Sequence, residues 1–232
     1  KIFIRINYQR FELKKYIPKW LFPSKTIPHT AWRSNHYWKS KPSTILILVI
    51  GLWLFGTGEA FLISANAGVS PWTVFAQGIS VQTGLSIGWA TFVSGVGVLA
   101  LWIPLKQKPG LGTVLNIIII SLALEVMTKV LPTPTNSALQ VMQILVGIAI
   151  VGLGSGFYLT CHMGPGPRDG LMTRIHLLTG LPVGRVRLFI EITVLTIGWL
   201  LGGQVGLGTV LFGGLIGYSV ATWLKVVGKI TK

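Results

Sequence analysis

Six runs of apolar residues, at 44–63, 87–105, 114–130, 141–161, 188–201 and 207–227, decide what this chain can fold into. Each is long enough, or nearly so, to cross a hydrocarbon layer about 30 Å thick, which takes roughly 20 residues of helix. None carries the polar face that a soluble helix turns to water. In lipid an unpaired backbone N–H or C=O is costly, so such runs must be helical. Composition agrees, with 51% of residues hydrophobic and only 11% charged, against about 25% charged in soluble domains. The expected fold class is all-α, multi-pass transmembrane.

The chain also repeats itself. Shifted by 96 residues, 51–127 aligns without a gap on 147–223. GLGTVL occurs whole at Gly110–Leu115 and again at Gly206–Leu211, and TGLSIG at Thr83–Gly88 answers TGLPVG at Thr179–Gly184. NAGVSPWT at Asn66–Thr73 answers HMGPGPRD at His162–Asp169, with the same Gly and Pro but no charge. Each repeat therefore reads as a long span, a Gly/Pro break, a short helix, a Thr-Gly stop and two further spans. Pro71 and Pro167 suit the first helical turn, where a missing N–H costs nothing, and Gly84 and Gly180 suit its C-terminal end.

A short helix of about fifteen residues reaches only about 22 Å, so it dips into the membrane or lies flat rather than crossing. This gives six spans in two inverted repeats of three, each with a short re-entrant or non-spanning helix; if the short helices cross, there are eight. The excess of Lys and Arg on cytoplasmic loops decides between them. With the N-terminus inside, six spans leave Lys106, Lys108, Arg168, Arg174, Arg185, Arg187, Lys225 and Lys229 inside and only Lys129 outside, and eight would export Lys106, Lys108 and Arg168. The expected units are a basic cytoplasmic extension at 1–43, membrane repeats at 44–131 and 141–232, and an extracytoplasmic linker at 132–140, with both termini cytoplasmic.

Ten of the twenty Lys and Arg fall in residues 1–41, against one acid, Glu12. Beside a membrane span such a tail suits anionic lipid headgroups rather than nucleic acid. A segment this polar does not fold alone, so a protein partner in a membrane complex, or a second copy, is expected to hold it through Lys14, Lys15, Lys19 and Arg33. Trp32, Tyr37 and Trp38 fit an interfacial aromatic anchor.

MGPGPRDGLM (Met163–Met172), with the preceding Gly/aromatic helix and the following TGLPVGRVR, resembles the YczE branch of the YczE/YyaS/YitT bacterial membrane proteins. The resemblance covers residues 45 to 227 and omits the basic tail. It implies a bacterial multi-pass membrane protein, in the cytoplasmic or another internal bacterial membrane, of poorly defined biochemical role, and brings no established substrate.

Candidate functional residues are few. Arg168, at the start of a short helix, adds its charge to the positive helix end and the free N–H groups there, making with Gly164 and Gly166 an anion site. Asp169 caps that helix or pairs with Arg168, Arg174 or Arg185. Trp72 holds the matching place in the uncharged outer break. Three of five acids lie in spans, where carboxylates mark function by default. Glu125 precedes Lys129 by four residues and Glu191 follows Arg187 by four, so both have helical ion-pair partners. Glu59 has none within a turn, which makes it the candidate for proton coupling or substrate binding. The glycine spacings Gly152–Gly156 and Gly213–Gly217 suit close helix packing. One cysteine, Cys161, and four scattered histidines give no metal set, and no cofactor is expected. Without a Ser–His–Asp set, a Walker loop or paired catalytic carboxylates, an enzyme is not expected. Two functions stay open: a secondary-transporter-like permease for a small or anionic solute or lipid, and a non-catalytic accessory subunit docked through the tail.

Overall fold

The computed structural model describes residues 27–231, which form eight helices and no strand among the described residues. In chain order these are α1 (Pro42–Ala65), α2 (Pro71–Thr83), α3 (Ile87–Ala100), α4 (Leu111–Val130), α5 (Ser137–Cys161), α6 (Pro167–Thr179), α7 (Val183–Leu200) and α8 (Leu207–Ile230). By length and composition α1, α4, α5 and α8 can each cross a membrane, and α2 with α3, bent by 112° at their break, would make a fifth span. By the same measure α3 alone and α7 fall short of that set. A residue before proline is pushed out of the α region, and α3 stops ahead of Pro104 at 14 residues, about 21 Å of helix. The 18 residues of α7 include Arg185, Arg187 and Glu191.

At the centre α1 and α5 pack closely through glycines, Gly51 against Gly154 and Gly58 against Gly147. Residue numbers rise along one helix as they fall along the other, so the pair is antiparallel. Around it α4 packs on α1 and α8 on α5, while α2 packs on α7 and α3, more loosely, on α6. Since α5 to α8 repeat α1 to α4, every one of these pairings has its counterpart. The hydrogen bonds are reciprocal too. Gly112 N–H donates to Met163 O at 2.8 Å, and its repeat counterpart, Gly208 N–H, donates to Ala67 O at 2.7 Å.

One pairing lacks its counterpart. The α3 helix lies along α4, with Gly88 on Ser121 and Glu125 and Gly95 on Ile117. The α7 helix makes almost no contact with α8, and the matching glycines Gly184, Gly213 and Gly217 face open space. Of the two expected small-residue faces, Gly152–Gly156 does pack, on Ser219 and Trp223 of α8.

Residues ahead of α1 strap one end of the bundle. Ser34 N–H donates to Cys161 O at 2.9 Å and Leu111 N–H donates to Tyr37 O at 2.9 Å, and Trp32 Nε1 donates to Thr160 Oγ1 at 3.0 Å. The Tyr37 ring lies 5.7 Å from that of His162, and Pro28 sits against Gly228. Trp32 and Tyr37 are therefore engaged with the chain itself, while Tyr37 and Trp38 stay 43% and 56% exposed. Arg33 lies in this strap with a guanidinium nitrogen 3.3 Å from His29 Nε2; Lys14, Lys15 and Lys19 lie outside the described residues. The same end gathers basic residues: Arg174 Nε donates to Leu105 O at 2.7 Å, bringing it beside Lys106 and Lys108, and Lys229 follows Gly228 on α8.

Candidate functional site

Both breaks are built by the same local rules. Each first span ends on a residue with left-handed backbone, Asn66 (φ 52°) or His162 (φ 55°), followed two residues later by a glycine at φ 95° (Gly68) or 108° (Gly164). The residue before each proline is extended, Ser70 at ψ 152° and Gly166 at ψ 157°, as a following proline ring demands. Pro71 and Pro167 then open helices of 13 residues that close on left-handed Gly84 and Gly180.

Gly164 works as a hinge pin. A Cβ there would fall 2.9 Å from Thr113 Oγ1 and 3.0 Å from Gly110 Cα, and Thr113 donates to Pro165 O at 2.8 Å. This contact turns the break inward, so that α6 starts inside the bundle. The start of α2 is turned inward in the same way, with Gly68 against Gly206.

The two helix starts meet. Arg168 lies over the Trp72 indole, 4.9 Å from its centroid, although the sequence assigns these residues to opposite membrane faces. They are repeat counterparts, so the contact joins like to like. Around it is a cavity of about 210 Å³ whose wall includes Glu59, Ser155, Gly166, Arg168, Asp169 and Tyr158. Of the six site residues named from the sequence, five line this cavity, and Gly164 holds its wall in place.

Glu59 is 2% exposed. Its Oε2 accepts from Ser70 and Thr73 hydroxyls, each at 2.8 Å, so the first span grips the first turn of α2. Repeat two makes the equivalent link with the chemistry exchanged: the Tyr158 hydroxyl on α5 donates to Asp169 Oδ2 on α6 at 2.6 Å. Asp169 therefore takes Tyr158 as its partner, while Arg174 goes to the Leu105 carbonyl. Glu125–Lys129 and Arg187–Glu191 form the ion pairs their spacing calls for, at 2.7 and 2.8 Å. Glu125 Oε2 also accepts from Gly88 N–H at the start of α3, 3.1 Å away.

Sequence reasoning passed over Tyr158, Asn116 and Ser155, which share the cavity. Ser155 was within reach, being the 96-residue counterpart of Glu59. Two buried polar atoms of the wall have no hydrogen-bond partner among the described residues, Glu59 Oε1 and Trp72 Nε1.

A family model described as "Family of unknown function (DUF6198)" matches residues 42–225, from the first residue of α1 to a point beyond every cavity residue. The chain belongs to the DUF6198 family. A Haemophilus influenzae relative, an "Uncharacterized protein", is 43% identical over 206 residues, covering 89% of this chain and 94% of the relative. The "Uncharacterized membrane protein YczE" of Bacillus subtilis is 31% identical over 72% of this chain and 75% of its own length. YyaS of the same organism is 24% identical over 78% of this chain and 92% of its own. No solved structure matches.

With the DUF6198 frame around it, the arrangement has a definite chemical capability. The first turns of α2 and α6 both border one volume, and a helix N-terminus carries about half a positive charge. Among the described residues the Arg168 guanidinium has no hydrogen-bond acceptor. Its guanidinium carbon sits 4.9 Å from the Trp72 ring centroid, an attraction of about 0.5–2 kcal/mol, and Glu59, Asp169 and Glu191 act on its charge through space. Arg187 and Glu191 of α7 with Phe212 and Ile216 of α8 complete the wall, so the cavity reaches into the gap between those two helices.

Proposed function

We propose that this DUF6198 chain is a secondary-transporter-like permease that moves a small anion across a bacterial cytoplasmic membrane. The meeting of two helix N-termini at Arg168 and Trp72 carries the reading, because paired broken helices bordering one cavity are how transporters of inverted-repeat design build their substrate sites. The antiparallel α1–α5 pair and the reciprocal Gly112–Met163 and Gly208–Ala67 bonds support a two-fold axis lying in the membrane plane. On that axis α2 and α6 are re-entrant, and α3 and α7 complete a set of six crossings. The strapped end, with Lys41, Lys106, Lys108, Arg174 and Lys229, is then the cytoplasmic one, facing anionic lipid headgroups.

The unequal pairing of α3 and α7 supports a transport cycle. If the repeats exchange conformations, α7 closes on α8 as α3 now lies on α4, with Gly184 reaching Gly217 and Ala221, and α3 lifts from α4. The cavity then opens to the other side. Glu59 is the acid that carries a proton with the anion, since its Oε1 lacks a fixed partner.

Proteoliposomes screened with labelled phosphate, sulfate and small carboxylates test this. Arg168→Gln removes charge-assisted hydrogen bonds worth about 1.5–3 kcal/mol, so flux of the transported anion should fall roughly 10- to 100-fold, with Arg168→Lys restoring part of it because ammonium lacks the planar fork. Glu59→Gln should abolish its dependence on a proton gradient. The reading is lost if no anion moves, or if both variants leave an identified flux intact.

A further inference from the structure

A second hollow meets the first at Trp72. It is an apolar groove of about 430 Å³ walled by Phe75, Ile79, Val93, Leu101, Leu171 and Phe189. Val93, Leu101 and Phe189 are exposed on the outside of the bundle, so the groove opens laterally, towards lipid. A small pocket of about 20 Å³ lies between groove and cavity: it shares Trp72, Ser94 and Val98 with the groove, and Trp72, Asn116, Pro167 and Arg168 with the cavity. The three hollows lie side by side with Trp72 in the wall of each, Arg168 bordering the inner two and an apolar lining at the outermost. The groove also follows the repeat symmetry, since Val93 and Phe189, like Phe75 and Leu171, stand 96 residues apart.

We infer that the anion recognised here is amphipathic, with its charged group at Arg168 and the first turns of α2 and α6 and an alkyl chain laid along the groove. This rests on the anion site proposed above and names its substrate class. A wholly hydrophilic anion would leave the apolar groove unused. An alkyl chain that leaves water for this groove gains the transfer of each methylene, and a chain attached to an anion seated at Arg168 meets the groove across Trp72. The groove suits the chain better than the cavity does, because Glu59, Asp169, Arg187 and Glu191 all border the cavity and no charged side chain lines the groove.

The test uses the full chain in phosphatidylcholine nanodiscs and three probes, inorganic phosphate, butyl phosphate and octyl phosphate, with empty nanodiscs subtracted. Each methylene buried should tighten binding about three- to fourfold, so affinity should rise from phosphate to butyl to octyl. Gly97→Phe fills the groove: Gly97 lines it, and a Cβ there meets nothing within 4 Å. That variant should bind inorganic phosphate as wild type does, which also reports a folded site, and lose at least tenfold on octyl phosphate. Thr193→Phe, from the opposite wall, should do the same if Gly97→Phe fails to fold. Arg168→Gln should weaken all three probes. Equal affinity for phosphate and octyl phosphate, with Gly97→Phe silent, would overturn the amphiphile while leaving the anion site standing. Octyl phosphate binding untouched by Arg168→Gln and Gly97→Phe would be lipid partitioning, and also overturns it. No binding of any probe by wild type removes the anion site and this inference together.

Discussion

Replacing Gly58 by valine tests the helix crossing on which the site is built. A Cβ at Gly58 would lie 2.7 Å from Gly147 O, Val151 N and Val151 Cγ2. That is about 0.7 Å inside the 3.4 Å at which ordinary contact begins, and two of the three obstacles are backbone atoms that no rotamer change can move. The α1 and α5 helices must therefore part along their length, loosening the packing of Leu62, Ile148 and Val151, each at most 3% exposed. Overpacking of this kind costs about 1–3 kcal/mol, and the better helix propensity of valine offsets only a few tenths of that. For a chain of this size each kcal/mol shifts the melting midpoint by roughly 2–4 °C, so a drop of about 3–10 °C is expected. The assay is thermal unfolding of purified protein in mild detergent, read by size-exclusion after heating. Gly214→Val is the control, because nothing lies within 4 Å of a Cβ there, and it should stay near wild type. Equal midpoints for the two variants would refute the close crossing.

A disulfide between Gly184→Cys and Gly217→Cys should form during the cycle, stop flux, and reverse with reductant, as read by gel shift and proteoliposome uptake; no cross-link under turnover would remove the exchange of α3 and α7. Removing the Glu125 carboxylate frees both Lys129 and the Gly88 N–H, so Glu125→Ala should destabilise the α3–α4 pair by about 1–2 kcal/mol, read as a lower melting midpoint with Lys129→Ala as the milder comparison.

The parts of this fold that sequence could supply are those encoded locally. The apolar runs, Pro71 and Pro167 at helix starts, Gly84 and Gly180 at helix ends, and the Glu125–Lys129 and Arg187–Glu191 pairs all follow from neighbours within a turn or two. The 96-residue repeat showed which residues occupy like positions, and hence that Arg168 answers Trp72. It could not show that the two touch, because the breaks are turned inward by contacts such as Gly164 with Gly110 that lie far apart in sequence. The break also folds Asp169 back onto Tyr158, eleven residues earlier, rather than onto any of the nearby arginines. In the strap, Trp32 and Tyr37 have the chemistry of interfacial anchors, and their contacts with Thr160 and His162 are ones that pattern alone does not reveal. Apolar composition continues past the end of α3, which closes at Ala100 ahead of Pro104, whereas α7 begins five residues before its apolar run and takes in Arg185 and Arg187.

The central claim is that two re-entrant helix starts hold an anion at Arg168 inside the membrane bundle. Anomalous diffraction from crystals soaked in selenate or tungstate measures that directly. The expected result is a peak within hydrogen-bond reach of the Arg168 guanidinium, between the first turns of α2 and α6, that disappears in Arg168→Gln. A peak confined to Lys106, Lys108 and Lys229 at the basic end, with none at Arg168, would contradict it.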